Sequence, residues 1–295
     1  MKTTLRLITF ISLLLVLFIP GFSLAETKTF IKEYAYQASD EDSKNSCRII
    51  ALREVKRLLL EELGTYLESE TEVKNFQLSR DQITTLTAGI VQTALVDEKW
   101  DTANLKYWIK AKIKADSEGV LKAIDSLRKD RENIQELAEV KKSSEDLLKE
   151  NKRLREELLT ARGANKEKVA EAYNKTVKEL SAVEWHEKGK AADIAGDHNQ
   201  AIKDYDRAIE LNPEYTRAYG DRGFAYGQLG NYNQAIENYS KAIELNPKAV
   251  RAYYIRGITY GKLGNRNQAK ADLKIAARLG HKLAQKVLTN QGIAW

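Results

Sequence analysis

Few side chains in this chain of 295 residues have the types and spacing that catalysis or metal binding requires. One cysteine, Cys47, and the three scattered histidines His186, His198 and His281 cannot supply the clustered ligands of a structural zinc site. Paired carboxylates such as Glu61-Glu62 fall on polar helix faces, where a solvated role is commoner than acid–base work. No glycine-rich phosphate loop follows a strand, and no nucleophile elbow is present. The sequence therefore predicts a protein that is not an enzyme and that binds no cofactor and no metal.

The strongest pattern in the chain is a repeat of 34 residues near the C-terminus. Proline follows the second helix of the first two units, at Pro213 and Pro247, because proline cannot continue a helix. Aromatic and small residues recur at that spacing in the sets Trp185, Tyr219 and Tyr253; Gly189, Gly223 and Gly257; Gly196, Gly230 and Gly264; Ala201, Ala235 and Ala269; Tyr205, Tyr239 and Leu273; and Ala208, Ala242 and Ala276. This series resembles the tetratricopeptide repeat, a helix-turn-helix unit of that length.

The resemblance implies an α-solenoid of three units with a cap over its open end. A capping helix and tail are expected in residues 284–295, with Leu283, Val287 and Leu288 on the apolar side of the helix. Ile293 and Trp295 are expected to fold back onto the third unit. The units span residues 182–215, 216–249 and 250–283.

Family geometry places the first helix of each unit along a concave groove, which is the candidate peptide-binding site. The residues expected along this groove are partly basic and partly apolar. That combination suits an extended acidic peptide or a C-terminal carboxylate. The carboxylate clamp of chaperone-binding members is not reproduced, because Asp221 and Ile255 stand where that clamp has Asn and Arg. The groove residues that the resemblance implies are His186, Lys190, Arg217, Phe224, Gln228, Arg251, Tyr254, Ile258 and Lys262.

The first twenty-five residues have the pattern of a secretory signal peptide. Basic residues precede the apolar run 7–19, Pro20-Gly21 ends that run, and Ser23-Leu24-Ala25 offers small residues for cleavage after Ala25. The alternative is an uncleaved anchor. The expected location is the periplasm or outside the cell. This route and a formal net charge of only +6 argue against nucleic acid as a partner.

Residues 26–115 are predicted to form a small α+β domain. An alternating strand is expected at 29–38, followed by a helix that begins at Asp40 or Ser43 and ends near Leu67. Further elements are a short strand at 73–78, a helix from Ser79 or Asp81 to Val91, and strands at 93–100 and 106–115 that are joined by a turn at 101–104.

This order of elements loosely resembles the N-terminal domain of the flagellar assembly protein T family. The residues that carry the resemblance are Ala51-Leu52 on the long helix, Ser69 to Val73 after it, and Gly89 before the hairpin. The resemblance transfers no functional residue to this chain.

The last strand of this domain alternates clearly between apolar and basic residues. Tyr107, Ile109, Ala111 and Ile113 face one way, and Lys106, Trp108, Lys110, Lys112 and Lys114 face the other. The basic strip suits an anionic envelope polymer or a lipid headgroup. The alternative, which is the more common role, is a solvated face whose lysines discourage aggregation through the sheet edge.

Residues 116–181 are predicted to form a charged helical rod without proline. A first heptad phase contains Val120, Ile124, Leu127 and Ile134, and a second phase begins at Val140, shifted as by a three-residue stammer. Asn151 at an a position of the heptad favours a parallel coiled coil and thus a homodimer. The alternative is a single solvated helix that is stabilised by Glu–Lys pairs. Gly163 is expected to interrupt the rod, and a second helical stretch at 166–180 leads into the repeats.

The sequence thus predicts a mainly α-helical protein with an α+β head, a rod and a three-repeat solenoid. Its predicted function is that of a non-catalytic periplasmic scaffold or adaptor that binds a protein or peptide partner through the groove. One alternative is a structural assembly or tethering component of a cell-envelope machine, of flagellar or cell-division type, which contacts the cell wall through the head. Another is a divergent enzyme, which requires a polar cluster around Cys47.

Overall fold

The computed structural model of the chain describes residues 27–40, 42–73, 80–88, 91–128 and 131–295. The predicted signal peptide lies outside these ranges, as do Ser79, Gly89 and all but the first residue of the predicted strand at 73–78. Within these ranges a three-stranded sheet with helices on one face is followed by a helical hairpin and a stack of helix pairs. Among the helices of the described ranges, none contains an apolar stretch that could span a lipid bilayer.

The sheet of the head is antiparallel and contains β1 (Thr27–Gln37), β2 (Thr93–Asp101) and β3 (Lys106–Asp116) in the order β1-β3-β2. The predicted turn between β2 and β3 is confirmed. Asp101 closes it, because its Oδ1 accepts hydrogen bonds from the backbone N–H groups of Ala103 and Asn104, each at 3.0 Å. The apolar side chains of β3 that alternate with the lysines are buried, as predicted.

Two helices, α1 (Lys44–Val73) and α2 (Arg80–Ala88), belong to the head, and α1 covers the apolar face of the sheet. The predicted cap is confirmed, since Ser43 Oγ accepts a hydrogen bond from the backbone N–H of Ser46 at 3.0 Å. Leu59, Leu63 and Leu67 are fully buried at helical spacing. The predicted end of this helix near Leu67 is wrong: α1 continues to Val73, because no proline or glycine follows Leu67 within it to end the helix there.

The predicted rod is three helices: α3 (Ser117–Arg128), α4 (Arg131–Thr160) and α5 (Ala164–Ile194). Gly163, with φ of 56°, lets the chain turn so that α5 packs back against α4. Asn151 has a partner within the chain: it is buried, and its Nδ2 donates a hydrogen bond to Thr176 Oγ1 at 3.0 Å. The heptad pattern therefore marks a buried seam, but here the seam faces a helix of the same chain. A short connection makes that intramolecular contact the easier one to form.

The hairpin of α4 and α5 shares one hydrophobic core with the head. Leu154 and Leu158 of α4 are buried in the same cluster as the inward side chains of the sheet and of α1. Val169, Tyr173 and Val177 of α5 belong to it as well. The N-terminal half of α5 is thus part of the head, although the same helix continues into the first repeat.

The C-terminal part of the chain is a stack of antiparallel helix pairs, as the 34-residue period predicts. The second half of α5 pairs with α6 (His198–Leu211), α7 (Thr216–Gln228) with α8 (Tyr232–Leu245), and α9 (Val250–Lys262) with α10 (Arg266–Arg278). Gly196, Gly230 and Gly264 adopt φ near 80° at equivalent turns, a conformation that glycine accepts without a steric cost.

The stack is capped by α11 (Lys282–Asn290). Ala284 and Leu288 are its fully buried residues, and Ile293 packs against the same cluster. The predictions for Leu283 and Trp295 are wrong, since their exposed fractions are 56% and 45%. The inward positions of α11 are four residues apart at 284 and 288, and this phase turns Leu283 towards solvent.

Each helix pair depends on a glycine that lets an aromatic or aliphatic side chain approach the first helix. A Cβ atom added at Gly189 would lie 2.6 Å from the ring of Tyr205. One added at Gly223 would lie 2.9 Å from Tyr239 Cε1 and 3.1 Å from the backbone oxygen of Ala235. At Gly220, three residues earlier in α7, an added Cβ would meet nothing within 4 Å.

We predict opposite effects for two glycine substitutions in α7. Gly223→Ala should lower the free energy of unfolding by about 1–3 kcal/mol, because the helices must separate to admit the methyl group. Gly220→Ala should raise it by about 0.5–1 kcal/mol through helix propensity alone. Urea unfolding followed by circular dichroism measures both variants. A shift of both midpoints in the same direction would contradict this account of the packing.

Candidate peptide-binding groove

The first helices of the three repeats lie side by side, with α7 between the end of α5 and α9. Because equivalent residues return after 34 positions, the same face of each helix contributes to one continuous surface. The nine residues predicted for the groove all lie on these three helices. They differ in what they contact.

His186 is a buried part of this surface. Its Nε2–H donates to Asp221 Oδ2 at 2.8 Å, and the Tyr215 hydroxyl lies 3.4 Å from its Nδ1. The imidazole also packs against the ring of Tyr205, with 5.5 Å between the ring centroids. With its side chain only 6% exposed, His186 acts here as a bridge between the first and second repeats.

Asp221 is the acidic residue at the centre of the groove, and its side chain is 18% exposed. Desolvation would raise the pKa of this carboxyl. The hydrogen bond from His186 and electrostatic interactions with His186, Arg251 and Lys190 outweigh that effect and lower the pKa of Asp221 to about 2. Two of the predicted basic groove residues therefore act on a carboxylate that the protein itself supplies.

Arg217 lies in the first turn of α7, and its side chain is 24% exposed. Its Nη2 lies 3.7 Å from Oε2 of Glu139, a residue of α4. The helical hairpin thus reaches one end of the groove, and it places a carboxylate against a predicted ligand-binding arginine. Nothing in the sequence pairs these two residues, which are 78 positions apart.

The remaining predicted residues differ in their burial and in their contacts. Phe224 is half-buried and Gln228 is exposed. Tyr254 stacks on His281 with 4.0 Å between ring centroids, and Ile258 packs against the cluster of the capping helix, so these two side chains also serve the cap. Lys262 Nζ lies 5.3 Å from the ring centroid of Tyr232 in α8.

The groove continues into a charged junction with the head that sequence reasoning missed. Glu187, next to His186 on α5, accepts hydrogen bonds from Arg53 Nη1 at 2.6 Å and from Lys56 Nζ at 2.8 Å, both on α1. Desolvation would raise the pKa of Glu187, but the two cations outweigh it and hold that pKa below its usual range. Arg48 of α1 lies 3.4 Å from the buried Glu184.

A polar cluster lies near Cys47, and the enzyme alternative requires such a cluster. The carboxylate of Asp42 is fully buried and accepts hydrogen bonds from Ser39, from Tyr36 and from Tyr173 of α5. Burial, and then the charge of Asp42, raise the pKa of the Cys47 thiol to about 12. A thiol in this state is a poor nucleophile. The cluster instead holds α5 against the head, through the hydrogen bond from Tyr173 to Asp42.

The carboxylate of Asp221 should stabilise the repeats in a pH-dependent way. Its folded pKa of about 2 lies below the ordinary value of 3.8, so its contribution is complete above about pH 4 and disappears as pH falls towards 2. Asp221→Asn should therefore lower the free energy of unfolding by about 2 kcal/mol at neutral pH.

Urea unfolding at several pH values checks this prediction. The difference between the wild-type protein and Asp221→Asn should shrink as pH falls below about 4. Glu237→Gln, an exposed change on α8, serves as the control and should have little effect. A difference that stays constant down to pH 2 would contradict the assignment.

Comparison with known families identifies the C-terminal helix pairs. Models of the TPR repeat match residues 194–230 and 226–264, and a tetratricopeptide repeat model matches residues 250–279. No curated protein matches the chain.

Similar solved structures are also tetratricopeptide repeat domains. The Arabidopsis OM64 TPR domain has 30% identity and a TM-score of 0.36, over 39% of this chain and 98% of its own. The TPR2B domain of yeast Sti1, in a pHsp70 complex, has 27% identity and a TM-score of 0.35, over 38% and 90%. The second TPR domain of human RPAP3, with the HSP70 peptide SGPTIEEVD, has 25% identity and a TM-score of 0.36, over 39% and 96%. Residues 194–279 of this chain are tetratricopeptide repeats, as the 34-residue period predicts.

Proposed function

We propose that this protein is a non-catalytic adaptor whose groove binds an extended acidic segment of a partner protein. The observation that carries the proposal is the pair between Arg217 and Glu139, in which the groove already holds a carboxylate. Arginine suits this role because its guanidinium presents fixed donors to a carboxylate. An acidic residue of a partner would take the position that Glu139 occupies, and the exposed Glu139 side chain can move away at little cost.

The contacts of the groove narrow the set of ligand-binding residues. His186 is buried against Asp221, and Tyr254 and Ile258 support the capping helix. The ligand-binding residues are then Lys190, Arg217, Phe224, Gln228, Arg251 and Lys262. Phe224 provides apolar contact area between the cations, so the ligand combines acidic residues with an apolar side chain.

The absence of catalysis is part of the same proposal. Cys47 is buried and its thiol has a raised pKa, which supports a structural role for the cluster around it. Within the part of the chain that the structure describes, no group of three or more His, Cys, Asp or Glu side chains is arranged to hold a metal ion.

The proposed location is the periplasm or the cell exterior, after cleavage behind Ala25. The pattern of the first twenty-five residues supports it. Mass spectrometry of the protein from an exporting host should find Glu26 at the N-terminus. Retention of Met1 in the cell interior would contradict this location.

The groove proposal predicts the effect of removing two arginines. Arg217→Ala/Arg251→Ala should weaken binding of an acidic peptide at least tenfold, because charge-assisted hydrogen bonds are lost. The probes are labelled peptides of equal length: an acidic peptide with a free C-terminus, the same peptide amidated, and a lysine-substituted version. Fluorescence anisotropy measures their affinities and also shows whether the terminal carboxylate contributes.

Arg207→Ala/Lys241→Ala is the matched control. It removes the same charge from the second helices α6 and α8, where the two side chains are 58% and 39% exposed. This variant should bind the acidic peptide like the wild-type protein. Equal loss in both variants would indicate a non-specific charge effect, and equal affinity of the wild-type protein for the acidic and lysine-substituted peptides would refute the proposal.

A further inference from the structure

The outward face of the head sheet carries a second charged surface, far along the chain from the repeats. The helix α1 packs on the opposite face, where the side chains of β3 are buried. Among the described elements, none covers the outward face, whose residues are exposed or half-buried. We call this surface the lysine face; it contains Thr29, Ile31, Glu33 and Ala35 of β1, Asp97 and Lys99 of β2, and Lys106, Trp108, Lys110, Lys112 and Lys114 of β3.

Some of the charges on the lysine face are compensated within the sheet. Lys110 Nζ donates to Glu33 Oε1 at 2.7 Å, and Lys99 Nζ lies 3.6 Å from Asp97 Oδ2. Lys99 also lies 5.4 Å from the ring centroid of Trp108. These pairs occupy the centre of the face and the side towards β2.

The end of the face near Lys112 and Lys114 is different. Among the described residues, neither lysine has an ion pair or a hydrogen-bond partner. In the sheet register Lys112 lies opposite Ile31 and Lys114 opposite Thr29. Ile31 is 50% exposed, so an aliphatic side chain stands in solvent directly beside two uncompensated positive charges.

This combination has the chemistry of a bilayer interface. Lysine extends its ammonium group to lipid phosphates while its methylene stem covers apolar surface. Tryptophan favours the headgroup level, and an exposed isoleucine gains from contact with acyl chains. A soluble polyanion would engage the lysines alone and would gain nothing from Ile31. None of the described elements lies over the face, so it is open to an extended surface.

We propose that the lysine face docks the head onto an anionic lipid surface, with Lys112 and Lys114 at the phosphates and with Ile31 and Trp108 at the headgroup boundary. The proposal does not depend on peptide binding by the groove. It gives the protein two separate contacts, one with lipid and one with a partner segment.

The test uses the chain from Glu26 onward, which keeps every described residue and lacks the apolar run 7–19. Co-sedimentation is measured with vesicles of phosphatidylglycerol and phosphatidylcholine, and with phosphatidylcholine alone. The protein should bind only the anionic vesicles, and more weakly at high salt. Lys112→Gln/Lys114→Gln should weaken this binding about 25-fold, at about fivefold for each lysine near an anionic surface.

Lys203→Gln/Lys270→Gln removes the same charge from exposed positions on the repeats and should leave vesicle binding unchanged. Brominated lipid should quench tryptophan fluorescence in the wild-type chain and should lose that effect in Trp108→Phe. Equal binding by the two lysine variants would overturn the proposal. Binding to soluble dextran sulfate without binding to vesicles would overturn it as well, since the ligand would then be a polyanion.

Discussion

The continuity of α5 is the constraint on which the rest of the architecture depends. This helix of 31 residues is about 46 Å long, and nothing breaks it between the head and the first repeat. Its first half is buried with the head through Tyr173 and Val177, and its second half holds Tyr205 against Gly189. Since a helix fixes the angle between successive side chains, the way the head packs against the start of α5 determines the direction of the groove.

Ion pairs along the same helix reinforce this orientation. Arg53 is only 7% exposed, and both it and Lys56 contact Glu187, while Arg48 reaches Glu184 one turn earlier. Pairs that are partly desolvated are screened less by salt than surface pairs. Removing Glu187 would leave Arg53 buried without this acidic partner, so the junction favours one orientation of the groove relative to the head.

The sequence predicts those features that depend on local periodicity. A few residues at a fixed spacing are enough to recognise the 34-residue repeat, its turn glycines and the alternation along β3. The structure agrees with all three patterns, since the turn glycines have positive φ and the apolar side chains of β3 are buried. Contacts between distant segments could not be predicted. A heptad seam has the same pattern whether Asn151 meets a second chain or Thr176, and the pairs of Asp221 with His186 and of Glu139 with Arg217 depend on how helices stack. The cluster around Cys47 likewise joins Asp42 to residues more than a hundred positions away.

Periodicity also fails to distinguish two kinds of arginine within the repeats. Arg222 and Arg256 are one period apart, and so are Arg217 and Arg251. Each residue of the first pair joins two repeats: Arg256 donates to Asp272 in its own repeat at 2.7 and 2.8 Å and to Ser240 in the preceding one at 2.9 Å. Arg222 makes the equivalent bonds to Asn238 and Asp206.

The second pair of arginines lies on the first helices of the repeats, along the groove. Arg217 contacts the carboxylate of α4, and Arg251 is exposed and acts electrostatically on Asp221. Arg222 and Arg256 thus maintain the stack of repeats, while Arg217 and Arg251 carry positive charge along the groove. Arg251 has a structural effect as well, because its charge lowers the pKa of Asp221, whose ionised form stabilises the repeats.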